Sequence, residues 1–391
     1  MLKFSRLLNF LEDPRYPSVG PHLWLLRFTG IWHPDNSPKT RAKRGLFYLI
    51  VAFFCSQYLK CLIDFDINGL KLVLQYAPFH MGIIKSCFFE KDYKIWRKLI
   101  HYMSNIEQNQ IEAKDKENKM ILKEYIMRNR KVTYFFWALA LFSNFSIFSE
   151  PYQKNQINNN GTSLYLYIFD GYTSFKREPP GYYVSMLIQT VLGNVVSMYV
   201  VGWDMLVVSI MIYFAGQLKI SKLYCSRIIV EGSAEESRRN IAKSHYSYCN
   251  LIKYQKMFSK LISPVMFIYL FVIAVNLGVC IIQIAEIEDD LPSLVSGCLF
   301  VLACLIQLLL FYWHSNEVTV ESTFVSYSVF QSNWMGCDIK LQKEVYLLGL
   351  LTNKRLTFRA GPFNEMSLTT FVAILRSSYS FYTLLKGRAS H

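Results

Sequence analysis

At 391 residues, with 52% hydrophobic, 16% aromatic and 18% charged side chains, the chain is too apolar for an ordinary soluble domain, where about a quarter of residues are charged. Its net charge of +14 would suggest nucleic acid in a soluble protein, yet the Lys and Arg fall in blocks between apolar runs, as in loops beside anionic lipid. What remains is an all-α membrane protein, with membrane lipid around it and no nucleic-acid partner.

The N-terminus, MLKFSRLLNFLEDPRYPSVG, holds a short apolar patch from Leu7 to Leu11, interrupted by Asn9, and then charges and prolines; it is no secretory signal peptide. Seven later stretches reach the roughly 17 to 25 residues needed to cross a bilayer. They run from Gly45 to Ile63, Leu70 to Phe89, Val132 to Phe148, Tyr182 to Leu218, Leu261 to Ile287, Leu291 to Trp313 and Leu368 to Leu385. The second is the weakest, since it carries Lys71, His80 and Lys85. The fourth is too long for a bilayer, so its second half is expected to continue beyond the membrane as helix. It also holds Asp204, which near the inner boundary reads as a structural salt bridge or a hydrated helix end rather than an ion path.

Seven spans put the termini on opposite sides. About 34 of the 42 Lys and Arg fall in residues 1–44 and in alternate loops, which the positive-inside rule assigns to the cytosol. The N-terminus is therefore expected to be cytoplasmic and the C-terminus extracellular. Asn160-Gly161-Thr162, a glycosylation acceptor sequence, then lies outside, whereas the triplet at Asn144 falls within the third span and is expected to be unused. The nine cysteines form no C-x-x-C pair, so neither a disulfide framework nor a zinc site is expected. Glu317 and Glu321 stand one turn apart and read as a charged helix face rather than a metal pair. Glu286, Glu288, Asp289 and Asp290 form an acidic loop that either draws cations to an entrance or is a solvated turn.

No cofactor is implied, and no H-x-x-x-x-D, H-E-x-x-H or paired acid and nucleophile points to an enzyme. A G-protein-coupled receptor would place its N-terminus outside and would usually carry a Cys in the loop from Glu150 to Gly181, which has none. A receptor signalling through a cytosolic partner docked on Arg227 to Lys260 stays as the second reading. The last span, SLTTFVAILRSSYSFYTLL, is unusually polar. Its hydroxyls and Arg376 would cost free energy in lipid, so they serve either as glue between helices or as a wetted path.

From Phe311 onward several elements occur in order over about 75 residues, a specific pattern unlike a lone short motif. They are an aromatic-rich helix end before Asn316-Glu317, then Glu321, Trp334, the Leu347 to Leu351 run, Ala360-Gly361, Ser367-Leu368-x-Thr370-Phe371 and Ser378-Tyr379-Ser380-Phe381. This region resembles the C-terminal signature of insect odorant receptors. The family's coreceptor carries a large insertion for which Leu218 to Leu261 leaves no room, so the resemblance is to a ligand-tuning subunit. A gustatory-type receptor channel is an alternative whose Thr-Tyr then Gln-Phe ending is not reproduced. The resemblance implies a ligand-gated, nonselective cation channel in the plasma membrane of olfactory neuron dendrites, assembled with the odorant receptor coreceptor as a heterotetramer. It divides the chain into a cytoplasmic segment (1–44), a six-helix ligand-binding bundle (45–313), and an anchor region with a pore-lining seventh helix (314–391).

Within the seventh helix the resemblance places the narrow part of the pore at Thr383, Leu384 and Lys386. A leucine ring can close a pore by dewetting, while Lys386 reads equally as an interfacial anchor. Tyr379 and Ser380, about one turn deeper, are assigned to a subunit interface, Ser377 to Ser380 to helix glue, and Arg376 to pairing with a carboxylate. A small volatile organic ligand needs an apolar cavity with one or two polar groups, expected in the outer half of spans two, three, four and six. Candidates are Tyr76, His80, Trp137, Leu141, Phe145, Gln189, Leu192, Gly297 and Phe300, each aromatic reading equally as core. His80 and Gln189 stand out, because a polar group among apolar neighbours must find a partner and a ligand carbonyl or hydroxyl is one.

Overall fold

The computed structural model describes residues 9–35, 37–63, 67–157, 165–168, 178–285, 287 and 290–389. Among them, ten α-helices follow a 3-10 turn at Asn9–Leu11. They are α1 (Gly20–Phe28), α2 (Pro38–Ile63), α3 (Ile67–Lys91), α4 (Tyr93–Glu112), α5 (Lys116–Ile157), α6 (Gly181–Ser226), α7 (Ala234–Ala285), α8 (Leu291–Phe330), α9 (Ile339–Thr352) and α10 (Leu368–Ala389). Seven of these, α2, α3, α5, α6, α7, α8 and α10, coincide with the seven expected spans. Four of them, α5 to α8, carry apolar stretches long and uncharged enough to cross a membrane, and the other three have 22 to 26 residues.

Helix α6 is the centre of the bundle. From Val201 to Leu218 every residue is buried, as a helix that is apolar all round must be. That burial is why its charge, Asp204, cannot be a hydrated end. Helices α3, α5, α7 and α8 surround it. At Gly82 of α3 the backbones come so close that a Cβ would lie 3.0 Å from the Val196 carbonyl oxygen of α6.

One end of the bundle, here the basic end, extends well past the expected spans. Helix α8 continues through the expected boundary after Trp313 to Phe330 without a break. Its continuation buries His314, Ser315, Val318, Thr319, Ser322, Val325 and Val329, a helical stripe with no Gly or Pro to stop it. The described part of residues 1–44 packs against the bundle. Helix α1, opened by Pro21 in its first turn, buries His22, Leu23, Leu25 and Leu26, with Leu26 Cδ2 packed where a Cβ on Gly202 would meet it at 3.0 Å.

The strap from α9 to α10 buries Leu356, Phe358, Ala360 and Met366 against the bundle and leaves Phe363 exposed. It contains a two-residue hairpin, β1 (Arg359–Ala360) against β2 (Asn364–Glu365), antiparallel with Arg359 opposite Glu365. Gly361 turns it with φ +75°, a conformation favoured by glycine, and donates its amide to the Ser263 carbonyl of α7 at 3.1 Å. Helix α10 then climbs beside α7 towards the opposite end.

Candidate ligand cavity and pore helix

At the opposite end, α6 begins with Tyr182, whose hydroxyl donates to the Leu166 carbonyl at 2.9 Å. The rings of Tyr165 and Tyr167 lie 5.0 and 5.5 Å from its own. Ile168 is buried, and its amide donates to Gln189 Oε1 at 3.1 Å. Residues 165–168 therefore close over the start of α6, with Gln189 as the polar tie. Deeper, Asn144 of α5 donates to Ser197 Oγ of α6 at 2.5 Å, and the Phe148 ring fills the space over Gly193. Ser293 of α8 donates to Glu150 of α5 at 2.7 Å, and Ser296 reaches the same carboxylate. Asp290 accepts the Ser293 amide at 3.4 Å and so caps α8.

The expected ligand residues distribute unevenly over the bundle. Leu192 and Phe300 pack against the core, Gln189 is half-buried beside Ile168, and His80 is partly buried with its ring 5.4 Å from Phe54 of α2. Leu141 and Phe145 are 65% and 75% exposed. They lie on the outward face of α5, because Asn144, Ile147 and Phe148 occupy the inward face, and they wall no interior cavity. Trp137 instead packs edge-on against His22 at 6.3 Å, at the level of α1, which its place in the third span could not reveal. At Gly297 a Cβ would meet Ile284 at 3.0 Å, so this glycine serves a close approach of α7 and α8. The side chains of Tyr76, Leu384 and Lys386, and all of Asn160, lie outside the described residues. Asn144, Ser197 and the tyrosines around Tyr182 were not anticipated; the one available signal was a carboxamide in an apolar helix turn, which the glycosylation triplet obscured.

Near mid-bundle, Lys85 Nζ of α3 donates to Asp204 Oδ1 at 2.6 Å, with both side chains fully buried. Gln307 of α8 donates to the other carboxylate oxygen. The ammonium lies 4.3 Å from the Tyr269 ring centroid, 5.4 Å from Trp203 and 5.7 Å from Phe311, close enough for cation–π attraction. Four helices, α3, α6, α7 and α8, meet at this node. Asp204 is thus a structural salt bridge, as its residue type and context suggested.

Helix α10 presents two faces. Ile374 and Ser378 are buried, and Ser378 Oγ reaches the Ala274 carbonyl of α7 at 3.5 Å. Arg376, Ser377, Tyr379, Ser380 and Thr383 are exposed. Of Ser377, Ser378 and Ser380, it is Ser378 that bonds to another helix among the described residues. Ser377 and Ser380 donate to carbonyls of their own helix at 3.0 Å, as Thr383 does at 2.9 Å. Arg376 finds no carboxylate among the described residues.

A family profile described as 7tm Odorant receptor matches residues 72–379. The chain belongs to that family. Odorant receptor 10 of Aedes albopictus is 21% identical to the receptor over 327 residues, 83% of this chain and 84% of that one. Odorant receptor 94a of Drosophila melanogaster is 30% identical over 104 residues, 27% of each chain. The insect olfactory receptor OR5 of Machilis hrabei, solved in complex with eugenol, matches the fold with a TM-score of 0.81 over 96% of the receptor and 100% of that chain, at 13% identity.

At the basic end of the receptor, the charged face of Glu317 and Glu321 is an inter-helix ion-pair network. Arg128 of α5 grips Glu317 with both guanidinium nitrogens at 2.6 and 2.8 Å, and Lys222 of α6 pairs with Glu321. Beside it, Glu107 of α4 accepts the Ser18 amide at 3.1 Å and the Tyr125 hydroxyl at 2.9 Å. Burial pushes the Glu107 carboxyl up to about 7 from its ordinary 4.5, against the pull of those two donors and Arg130. Between these values the folded receptor holds a proton that the unfolded chain has released, so stability falls as pH rises through the window and is level above it. The loss is about 3 kcal/mol. Melting temperatures in detergent from pH 5 to 8 should show this slope, and Glu107→Gln should flatten it; an unchanged slope would remove Glu107 as its source.

Proposed function

We propose that the receptor is the tuning subunit of a ligand-gated, nonselective cation channel completed by the family's coreceptor as a heterotetramer. The basic end faces the cytosol and the C-terminus the exterior. A small volatile organic ligand binds between α3, α5, α6 and α8, where His80, Gln189, Leu192 and Phe300 surround it and Asn144 and Ser197 add a polar edge. The observation that carries this reading is the exposed polar face of α10. A 22-residue helix that turns Arg376, Ser377, Ser380 and Thr383 away from its own bundle presents a face poorly suited to lipid and well suited to water and neighbouring subunits. Thr383, Leu384 and Lys386 form the narrow part of the pore, and Tyr379 and Ser380 the contact with the next subunit. Asn160 carries a glycan in the outer loop. The strap from α9 to α10, pinned to α7 and α8, carries movement from the ligand bundle to the pore helix.

Co-expression with the coreceptor should give odorant-evoked cation current within milliseconds, independent of G proteins. With Thr383→Cys, a cationic thiol reagent added outside should block most of that current. A strict requirement for G proteins would sink the channel reading, and an inert Thr383→Cys would move the pore. Gln189→Ala releases the Ile168 amide, a hydrogen bond worth about 1 kcal/mol. It should therefore shift half-maximal odorant doses by about fivefold, while His80→Ala should reorder the ranking among alcohols, esters, aldehydes and terpenoids. Unchanged dose and ranking in both would place the cavity elsewhere.

A further inference from the structure

Helix α1 is fixed on its inner side by His22, whose Nε2 lies 2.9 Å from Thr133 Oγ1 and 3.0 Å from Ser209 Oγ. Its outer side shows a single stripe of exposed residues, Trp24, Arg27 and Phe28. Trp24 and Phe28, 38% and 53% exposed, stack with centroids 5.8 Å apart, and the exposed Phe10 ring abuts Trp24 at 5.4 Å. Large aromatics held open to solvent in one patch need an occupant.

The surroundings of the patch say which occupant. Lys43 of α2 sits 5.3 Å above the Phe28 ring and donates to the Arg27 carbonyl at 3.4 Å. Neither Lys43 nor the exposed Lys39 pairs with a carboxylate among the described residues, whereas Arg27 is neutralised by Asp35 at 2.6 Å. One turn further along α2 the exposed surface becomes apolar, at Leu46 and Leu49. Aromatic rings at the boundary, uncompensated cations beside them and an apolar helix face beginning one turn away match a phospholipid in cross-section: glycerol level, phosphate and acyl chain.

We propose that Phe10, Trp24 and Phe28 with Lys39 and Lys43 form a binding site for the headgroup of an anionic phospholipid, which braces α1 against the bundle. Two lysines near an anionic surface each contribute about fivefold, so phosphatidylserine should bind about thirtyfold more tightly than phosphatidylcholine. The test uses the full-length receptor in detergent, titrated with each lipid and read by native mass spectrometry. Lys39→Gln/Lys43→Gln should abolish the preference while leaving phosphatidylcholine binding intact, and Trp24→Ala/Phe28→Ala should weaken both lipids. Melting curves run alongside confirm that each variant is folded. Equal binding of the two lipids by the native receptor would overturn the proposal. So would a preference that survives loss of both lysines, or displacement of the lipid by equimolar inorganic phosphate. A changed oligomeric state in Trp24→Ala/Phe28→Ala with lipid preference retained would assign the patch to a protein contact instead, and would also overturn it.

Discussion

Replacing Lys85 by Met is expected to destabilise the receptor by about 3 to 5 kcal/mol, the cost of leaving one member of a buried ion pair alone. Asp204 would keep a single donor, Gln307, in a site walled by Tyr269, Trp203 and Phe311. The pair itself is a different matter. Two buried charges give back in mutual attraction much of what they lose in hydration, so removing both is often neutral. Lys85→Met/Asp204→Leu should therefore recover most of the stability that either single change loses. Thermal unfolding in detergent, followed by the loss of the monodisperse size-exclusion peak, measures this directly. If the two single losses simply added, the charges would not depend on one another and the node would be ordinary core. The double variant also asks whether the node does more than hold helices together. It keeps the packing but loses the directional bonds, so normal surface expression with altered odorant responses would mark it as a positioning element.

Phe358→Ala should cost a similar amount, about 3 to 5 kcal/mol, because it empties a fully buried aromatic site. The Phe358 ring lies 5.4 Å from Phe258 of α7 and 6.2 Å from Phe214 of α6. The strap around it is fastened at several points. The Leu356 amide donates to Ser322 Oγ at 2.9 Å, Gln255 donates to the Thr357 carbonyl at 2.9 Å, and Ser315 donates to the Met366 carbonyl at 2.6 Å. Those bonds do not involve the ring, so the strap should stay in place while its contact with α6 is lost. The expected result is a lowered melting temperature together with a weaker maximal odorant current at matched surface expression. Phe358→Leu, which retains most of the volume, should restore the melting temperature. Were current unaffected in Phe358→Ala, movement would reach α10 by another route.

The seven spans were legible because each is an apolar run of bilayer length, and the family was legible in residues 311–387 because its motifs occur in order. What escaped sequence reading are features that depend on two distant segments. Lys85 counted against the second span and Asp204 interrupted the fourth; only the bundle shows that each is the other's partner. Helix α1 has nine residues, too few to signal a span, and its burial displaced Trp137 from the expected cavity. On α5, the difference between Asn144 facing in and Phe145 facing out is one residue of helical phase, which a uniformly apolar stretch does not encode. The hydroxyl stripe of α10 was visible, but its division into a docked Ser378 and an exposed Ser377, Ser380 and Thr383 is set by how that helix rotates against α7.

Helix α8 has a mechanical consequence. Its 40 residues form a continuous rod of about 60 Å, held near its middle at Gln307 by the Asp204 carboxylate. From that fulcrum, one arm reaches about 24 Å to Leu291 and the other about 35 Å to Phe330, past the strap. A tilt of about 3° would carry the short arm by about 1 Å and the long arm by about 2 Å in the opposite sense. At Ser315 and Ser322, where the strap to α10 is bonded, the same tilt gives about 0.6 and about 1 Å in that opposite sense, so the strap follows the far end of the rod in reverse without amplification.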